Sequence, residues 1–162
     1  MKNKILLSLA LLPVLCSCTI LPDYNNGLKV QITASENGGL IETAPSEVYE
    51  YLITSSNSGL LYLGSSTCST CIEASKQLDA YGKKNDLMIM SVEMNGITEE
   101  NYQYLIDTTS FTGAAFALPS YGEDLYLPVL YLFLGLDEGS GVVSTCDNYF
   151  VDFLRKYVEV VH

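Results

Sequence analysis

Cys68 and Cys71 stand with two residues between them in the run Leu60-Leu61-Tyr62-Leu63-Gly64-Ser65-Ser66-Thr67-Cys68-Ser69-Thr70-Cys71. An apolar run precedes them and a helical pattern follows, which places Cys68 at a helix start. Unpaired backbone N–H groups and the positive end of the helix dipole there favour thiolate over thiol. Thiolate is the nucleophile of disulfide exchange. A residue three positions on lies on the same helix face, so the two sulfurs can meet. In this reading Cys68 attacks a substrate disulfide and Cys71 resolves the mixed disulfide. The sulfurs carry the two electrons themselves, so the chemistry needs no organic cofactor and no metal.

Two other readings of the pair belong to different function classes. One is an inert pair on a non-enzymatic binding module, such as a surface or secretion accessory that holds an extended peptide. The other is a zinc site, which requires four suitable ligands. The sequence has one His, His162, and no second Cys-x-x-Cys. The same shortage of His and Met near the motif argues against a copper carrier. Cys146 has no evident partner: it is either a small buried hydrophobe or a thiol that bridges transiently to the redox pair or to a partner.

The elements that must position the pair follow from periodicity. Leu28 to Thr33 alternates as a half-buried strand does, Gly38-Gly39 forms a turn, and Leu40 to Glu42 adds a few extended residues. Thr43 or Ala44 precedes Pro45, and Val48, Tyr51 and Leu52 give a helix of two to three turns its apolar face. Leu60 to Leu63 reads as a central strand covered on both faces. The helix opened by Cys68 runs to about Tyr81, where Gly82, Lys83 and Lys84 read as its end. Leu87 to Met94 is a second apolar strand, and Thr98 caps a helix through about Asp107. Residues 108–126 form a long loop with some helix. Val129 to Leu134 is a strand, Asp137 to Gly141 a hairpin turn and Val142 to Thr145 the return strand. Asp147 or Asn148 caps a final helix carrying Phe150, Phe153, Leu154, Tyr157 and Val158. Alternation first and a hairpin last imply an α/β fold with a mixed sheet, a parallel core and helices on both faces.

With the motif after a strand and before a helix, the chain resembles the thioredoxin family over roughly residues 28–160. The resemblance implies the thioredoxin fold with an insertion before the strand that carries a cis-proline. Leu127-Pro128-Val129-Leu130-Tyr131-Leu132-Phe133 fits that strand, with Tyr121-Gly122 ahead of it. It implies a cis Pro128 facing the disulfide, and Ser69, Thr70, Leu127 and Pro128 against an extended substrate chain. Read without the family, Pro128 is an ordinary trans proline at a strand's first residue. There are departures. Thr67 replaces the usual aromatic before the first Cys, and Tyr62 stands where the family carries a buried acid. The Ser-Thr dipeptide leaves reductase, oxidase and isomerase all open. These features resemble divergent bacterial lipoprotein and bacteriocin-accessory thioredoxin-like proteins more than the cytosolic form.

Residues 1–17 belong to targeting and not to the fold. Lys2 and Lys4 precede an apolar run, Ile5 to Leu15, which is too short to span a bilayer comfortably but suits a signal peptide. Leu15-Cys16-Ser17-Cys18 resembles the bacterial lipoprotein box, which implies cleavage before Cys18 and lipid on that Cys. An ordinary signal peptide or an uncut anchor are the alternatives. Residues 18–27, with Pro22 and Gly27, then form a tether, and 28–162 one domain. Without Lys2 and Lys4, six Lys plus Arg face nineteen Asp plus Glu, a formal charge of −13. Such a surface repels phosphate backbones, which excludes nucleic acid as a partner. The expected setting is extracytoplasmic and membrane-tethered. Exported protein thiols and disulfides are the substrates, and a membrane or extracytoplasmic redox partner supplies the electrons.

Overall fold

The computed structural model describes residues 29–111, 118–134, 142–145 and 149–162. Its centre is β3, Gly59–Gly64, in which every residue is buried. Alternate side chains of a strand point to opposite faces. Leu61 and Leu63 therefore join one apolar cluster, and Leu60 and Tyr62 another. Each buried Leu stabilises the fold by about 1.5–3 kcal/mol.

Around β3 lie β2 (Gly39–Glu42), β4 (Met88–Glu93), β5 (Val129–Phe133) and β6 (Val142–Thr145), in the order β2-β4-β3-β5-β6. The pairs β2–β4 and β3–β4 are parallel, whereas β3–β5 and β5–β6 are antiparallel. Helix α1 (Pro45–Tyr49), continued as a π-helical turn Glu50–Thr54, and α3 (Glu99–Phe111) place Val48, Leu52, Tyr102 and Leu105 against one face. Helices α2 (Ser69–Lys84) and α4 (Phe150–Tyr157) place Leu78, Phe153 and Leu154 against the other. The sheet is mixed and covered by helices on both faces, as the order of elements in the sequence implies.

Two expectations about the ends of the domain are corrected. The alternating segment at residues 28–33 supplies β1 (Val30–Thr33), but β1 stands outside the main sheet. It pairs in parallel with β7 (Val158–Val161), and the edge position next to β4 goes to β2. Correspondingly, the final helix stops at Tyr157 and Val158 opens β7. Val158, Val160 and Val161 are β-branched, and such residues fit a pleated surface better than a helix. The helix is preceded by Tyr149 without a side-chain cap, while Asp147 and Asn148 lie outside the described residues.

Helix α2 also runs a turn further than its glycine suggests. Gly82 lies inside it, because a Cβ there would stand 2.7 Å from Gly39 Cα and 2.7 Å from the Leu87 carbonyl oxygen. The glycine is a close-approach residue between α2 and β2, and the helix ends at Lys84. One turn earlier, Asp79 accepts the Leu40 N–H at 3.1 Å and pairs with Lys83 at 2.7 Å, fastening the same edge.

Of residues 108–126, the first four extend α3 and 112–117 lie outside the described residues. The remainder is irregular chain held to the start of α3. Tyr102 donates to the Pro119 carbonyl at 2.9 Å, Tyr121 to the Ile97 carbonyl at 3.2 Å, and the two rings meet edge-on at 5.5 Å. The hairpin turn at 137–141 falls outside the described residues, as do Cys146, Cys18, the leader and the tether.

Candidate active site

Cys68 is the N-cap of α2, not its first helical residue. Its backbone is extended and its sulfur accepts the Cys71 N–H at 3.2 Å. The sulfur thus does what a Ser or Asp oxygen does at other helix starts, satisfying an orphan N–H. Thr70 Oγ1 stands 3.1 Å from the same sulfur. These polar contacts stabilise negative charge on Cys68 when the pair is open. In the structure the pair is closed: Cys68 and Cys71 form a disulfide with Cα atoms 5.2 Å apart.

The two sulfurs differ in access. Cys71 is buried at 2 % exposure, whereas Cys68 is half-buried and flanked by the exposed residues Ser69 and Thr70. An incoming disulfide therefore meets Cys68 first, and Cys71 reaches only a sulfur already bonded to Cys68. The order assigns attack to one and resolution to the other.

The carboxyl ends of the parallel strands carry this pair. Gly64 ends β3, and Ser65 to Thr67 lead into Cys68, whose N–H donates to the Ser65 carbonyl at 3.1 Å. On the other side of β3, Leu63 pairs with Val129, so Pro128 lies at the same end of the sheet as Cys68. The Leu127–Pro128 peptide is cis; Pro128 is buried and Leu127 half-buried. The cis peptide that the resemblance implied at Pro128 is present, and the trans alternative is set aside.

Sequence reasoning missed three residues under the pair. Tyr62 donates to the Cys71 carbonyl oxygen at 2.8 Å, across nine residues of sequence. It reaches there by lying over Gly64, where a Cβ would stand 2.6 Å from the Tyr62 ring. Gly64 thus keeps the space that the phenol occupies. Burial, then the negative charge of Glu93, push the Tyr62 hydroxyl up from 10.0 to about 12, so it remains a donor at neutral pH.

Glu93 is the third. It pairs with Gly64 across β4 and β3, and both carboxylate oxygens accept the Ser66 N–H, at 2.9 and 3.1 Å. One of them also accepts the Asn95 N–H at 2.8 Å. Glu93 therefore ties the loop that presents Cys68 to the end of β4. The signal that could have found it is an acid ending an otherwise apolar strand, where a parallel sheet gathers its functional groups.

An open cavity of ≈ 420 Å³ joins these residues; Tyr62, Gly64, Ser66, Cys71 and Glu93 line it together with Glu42 at the end of β2. The site can close and open a disulfide and accept attack at one sulfur only.

No protein-family profile matches the chain, and no curated protein is significantly similar to it. Among solved structures it is similar to thioredoxin O1 from Arabidopsis thaliana in the oxidised state. The identity is 18 % and the TM-score 0.47, over 75 % of this chain and 99 % of that one.

Proposed function

We propose that the chain is a thiol–disulfide oxidoreductase, with Cys68 as nucleophile and Cys71 as resolving thiol. The observation that carries this reading is the closed Cys68–Cys71 pair, half-buried at one sulfur and buried at the other, at the start of α2. Packing alone needs no second sulfur at that spot. In the reducing direction, the Cys68 thiolate attacks a substrate disulfide and releases one substrate thiol. Cys71 then displaces the second substrate sulfur, and the pair ends oxidised by two electrons. The exposed Ser69 and Thr70 and the Leu127–Pro128 step border the place where the substrate chain must lie.

The leader and the Leu15-Cys16-Ser17-Cys18 run support an extracytoplasmic protein anchored in a bacterial membrane by lipid on Cys18. The likeness to divergent lipoprotein and bacteriocin-accessory proteins is part of the same reading. Exported proteins are then the substrates, and a membrane or extracytoplasmic partner resets the pair. Cys18→Ser in the full chain releases the protein from the membrane fraction if this anchoring holds; retention there sinks it.

The chemical reading is tested by the equilibrium reduction potential of the soluble protein, residues 19–162, in glutathione and dithiothreitol buffers. A value near about −270 mV places it with reductants, and one near about −120 mV with strong oxidants. Absence of a reversible disulfide between Cys68 and Cys71 would overturn the oxidoreductase reading and favour the binding module.

A further inference from the structure

The cavity beside the pair is larger than two sulfurs need, and its walls are of two kinds. One is apolar: Leu40 of β2 and Ile72 of α2 line it, and Ile72, the residue after Cys71, is 41 % exposed. The other is acidic, with Glu42 at the end of β2 and Glu93 at the end of β4, both exposed. A second cavity, ≈ 430 Å³, continues over the strand ends towards the start of α3 and shares Glu42, Val92 and Glu93 with the first. No Lys or Arg lines either of them. Among the described residues the ion pairs are Lys83–Asp79 and Arg155–Asp152, so neither cavity carboxylate has a cation of this chain beside it.

Register brings the two carboxylates together. Tyr62 pairs with Ser91 and Ser91 with Glu42, while Gly64 pairs with Glu93 one row further on. Directly paired residues share a face, and so do residues two apart on one strand. Glu42 and Glu93 therefore lie on the α2 side of the sheet, as Tyr62 does, on neighbouring strands and diagonal to each other. Diagonal neighbours stand about 7–8 Å apart, within reach of one long side chain laid between them. The Ser66 and Asn95 N–H groups bonded to Glu93 are neutral donors and leave its charge in place. Two like charges at this spacing repel each other, and a cation between them removes that cost.

We propose that this cavity is a specificity subsite which takes a Lys or Arg side chain flanking the substrate cysteine. The proposal rests on the oxidoreductase reading above and names its substrate class: a disulfide set in a basic segment. Such a side chain matches both walls. Its methylene stem packs on Leu40 and Ile72, and its charged head lies at Glu42 and Glu93. Cys71 itself lines the cavity and is bonded to Cys68, so a side chain seated there belongs to a close neighbour of the cysteine that joins Cys68. The same carboxylates turn acidic segments away, and discrimination comes from repulsion as much as from attraction. The subsite carries no electrons; it holds the neighbour of the substrate cysteine while the sulfurs exchange.

The test must separate this subsite from the pull of the whole acidic surface, whose formal net charge is −11. Three fluorescent peptide disulfides are used, identical except that the residues flanking each cysteine are Lys, Gln or Glu. Their reduction by the protein, with dithiothreitol as reductant, is read as kcat/KM. In wild type the Lys peptide is expected to react about three- to tenfold faster than the Gln peptide, and the Glu peptide to be slower than both. Glu42→Lys should reverse the order of the Lys and Glu peptides while the Gln peptide still reacts. Glu159→Lys makes the same change of net charge on exposed β7, in the small sheet, and should keep the wild-type order. Equal rates for the three peptides in wild type would overturn the subsite and leave the oxidoreductase reading standing. An equal change of preference in Glu42→Lys and Glu159→Lys would overturn it too, because net charge alone would then set the preference. Should Glu42→Lys fail to fold, Glu42→Gln takes its place: a reduced advantage of the Lys peptide supports the subsite, and an undiminished one overturns it. Wild type that reduces none of the peptides is a different failure, that of the oxidoreductase reading, and the subsite falls with it.

Discussion

Removing one oxygen from Tyr62 separates what its hydroxyl does from what its ring does. Tyr62→Phe leaves the ring over Gly64 but deletes the bond to the Cys71 carbonyl. The expected cost near pH 8 is about 0.5–1.5 kcal/mol, the net worth of one hydrogen bond. The pH dependence follows from the raised hydroxyl. Its folded value, about 12, lies above the unfolded value of 10.0, so folding favours the protonated form. That stabilisation is complete below pH 10 and is lost as pH rises through 10 towards 12. For two units it amounts to about 2–3 kcal/mol. Urea unfolding of the oxidised protein from pH 8 to 11.5 should show wild type losing stability faster than Tyr62→Phe. The buried Tyr131, also raised, contributes a slope common to both. Parallel curves would show that the Tyr62 hydroxyl is not held protonated by the fold. At this scale the sequence discloses Cys68, Cys71 and Pro128, because their spacing and neighbours are local. Tyr62 is visible only as a departure from a resemblance. Its path over Gly64, and the pairing of Gly64 with Glu93, are consequences of strand register, which no local pattern announces.

The contact between α2 and β2 sets the height of α2 above the sheet, and Gly82 decides it. By helix propensity alone Gly82→Ala should stabilise by about 1 kcal/mol. The added Cβ, however, would meet backbone, Gly39 Cα and the Leu87 carbonyl, at 2.7 Å, and backbone cannot swing aside. Overpacking of this kind costs about 1–3 kcal/mol, so the overlap wins. Thermal unfolding of Gly82→Ala is expected to show net destabilisation of up to about 2 kcal/mol, whereas a raised midpoint would mean that the crossing is loose. The same glycine explains a misread boundary. Gly followed by Lys-Lys is a frequent helix ending, and nothing local distinguishes an ending from a close crossing. The central strands were legible because β3, β4 and β5 are apolar runs bounded by turns. Strand β1 was legible by its alternation but not its partner β7, for Val158 satisfies both the 3-to-4 spacing of α4 and the two-residue spacing of β7. Their pairing joins residues more than a hundred positions apart.

Across the molecule, chemistry and attachment fall on different parts of the fold. The cysteines, the cavity and the cis peptide lie at one end of the five-stranded sheet, built from β2, β3, β4, β5 and α2. Strand β1, which directly follows the proposed tether, belongs instead to the two-stranded sheet with β7. Residues Ile32 and Val158 of that small sheet enter the α2–α4 cluster at 6 % and 7 % exposure, so it closes the core without touching the site. A protein ending at Tyr157 loses the burial of Val158 and leaves the ladder edge of β1 unpaired. The burial alone is worth about 1.5–3 kcal/mol, and the freed backbone groups can turn to water, which limits the further cost. Urea unfolding should therefore show a loss of about 2–4 kcal/mol, while the reduction potential of Cys68–Cys71 stays at the wild-type value. A shifted potential with little lost stability would reverse this division, because it would make the small sheet part of the active site and not the element through which the anchored chain holds the domain.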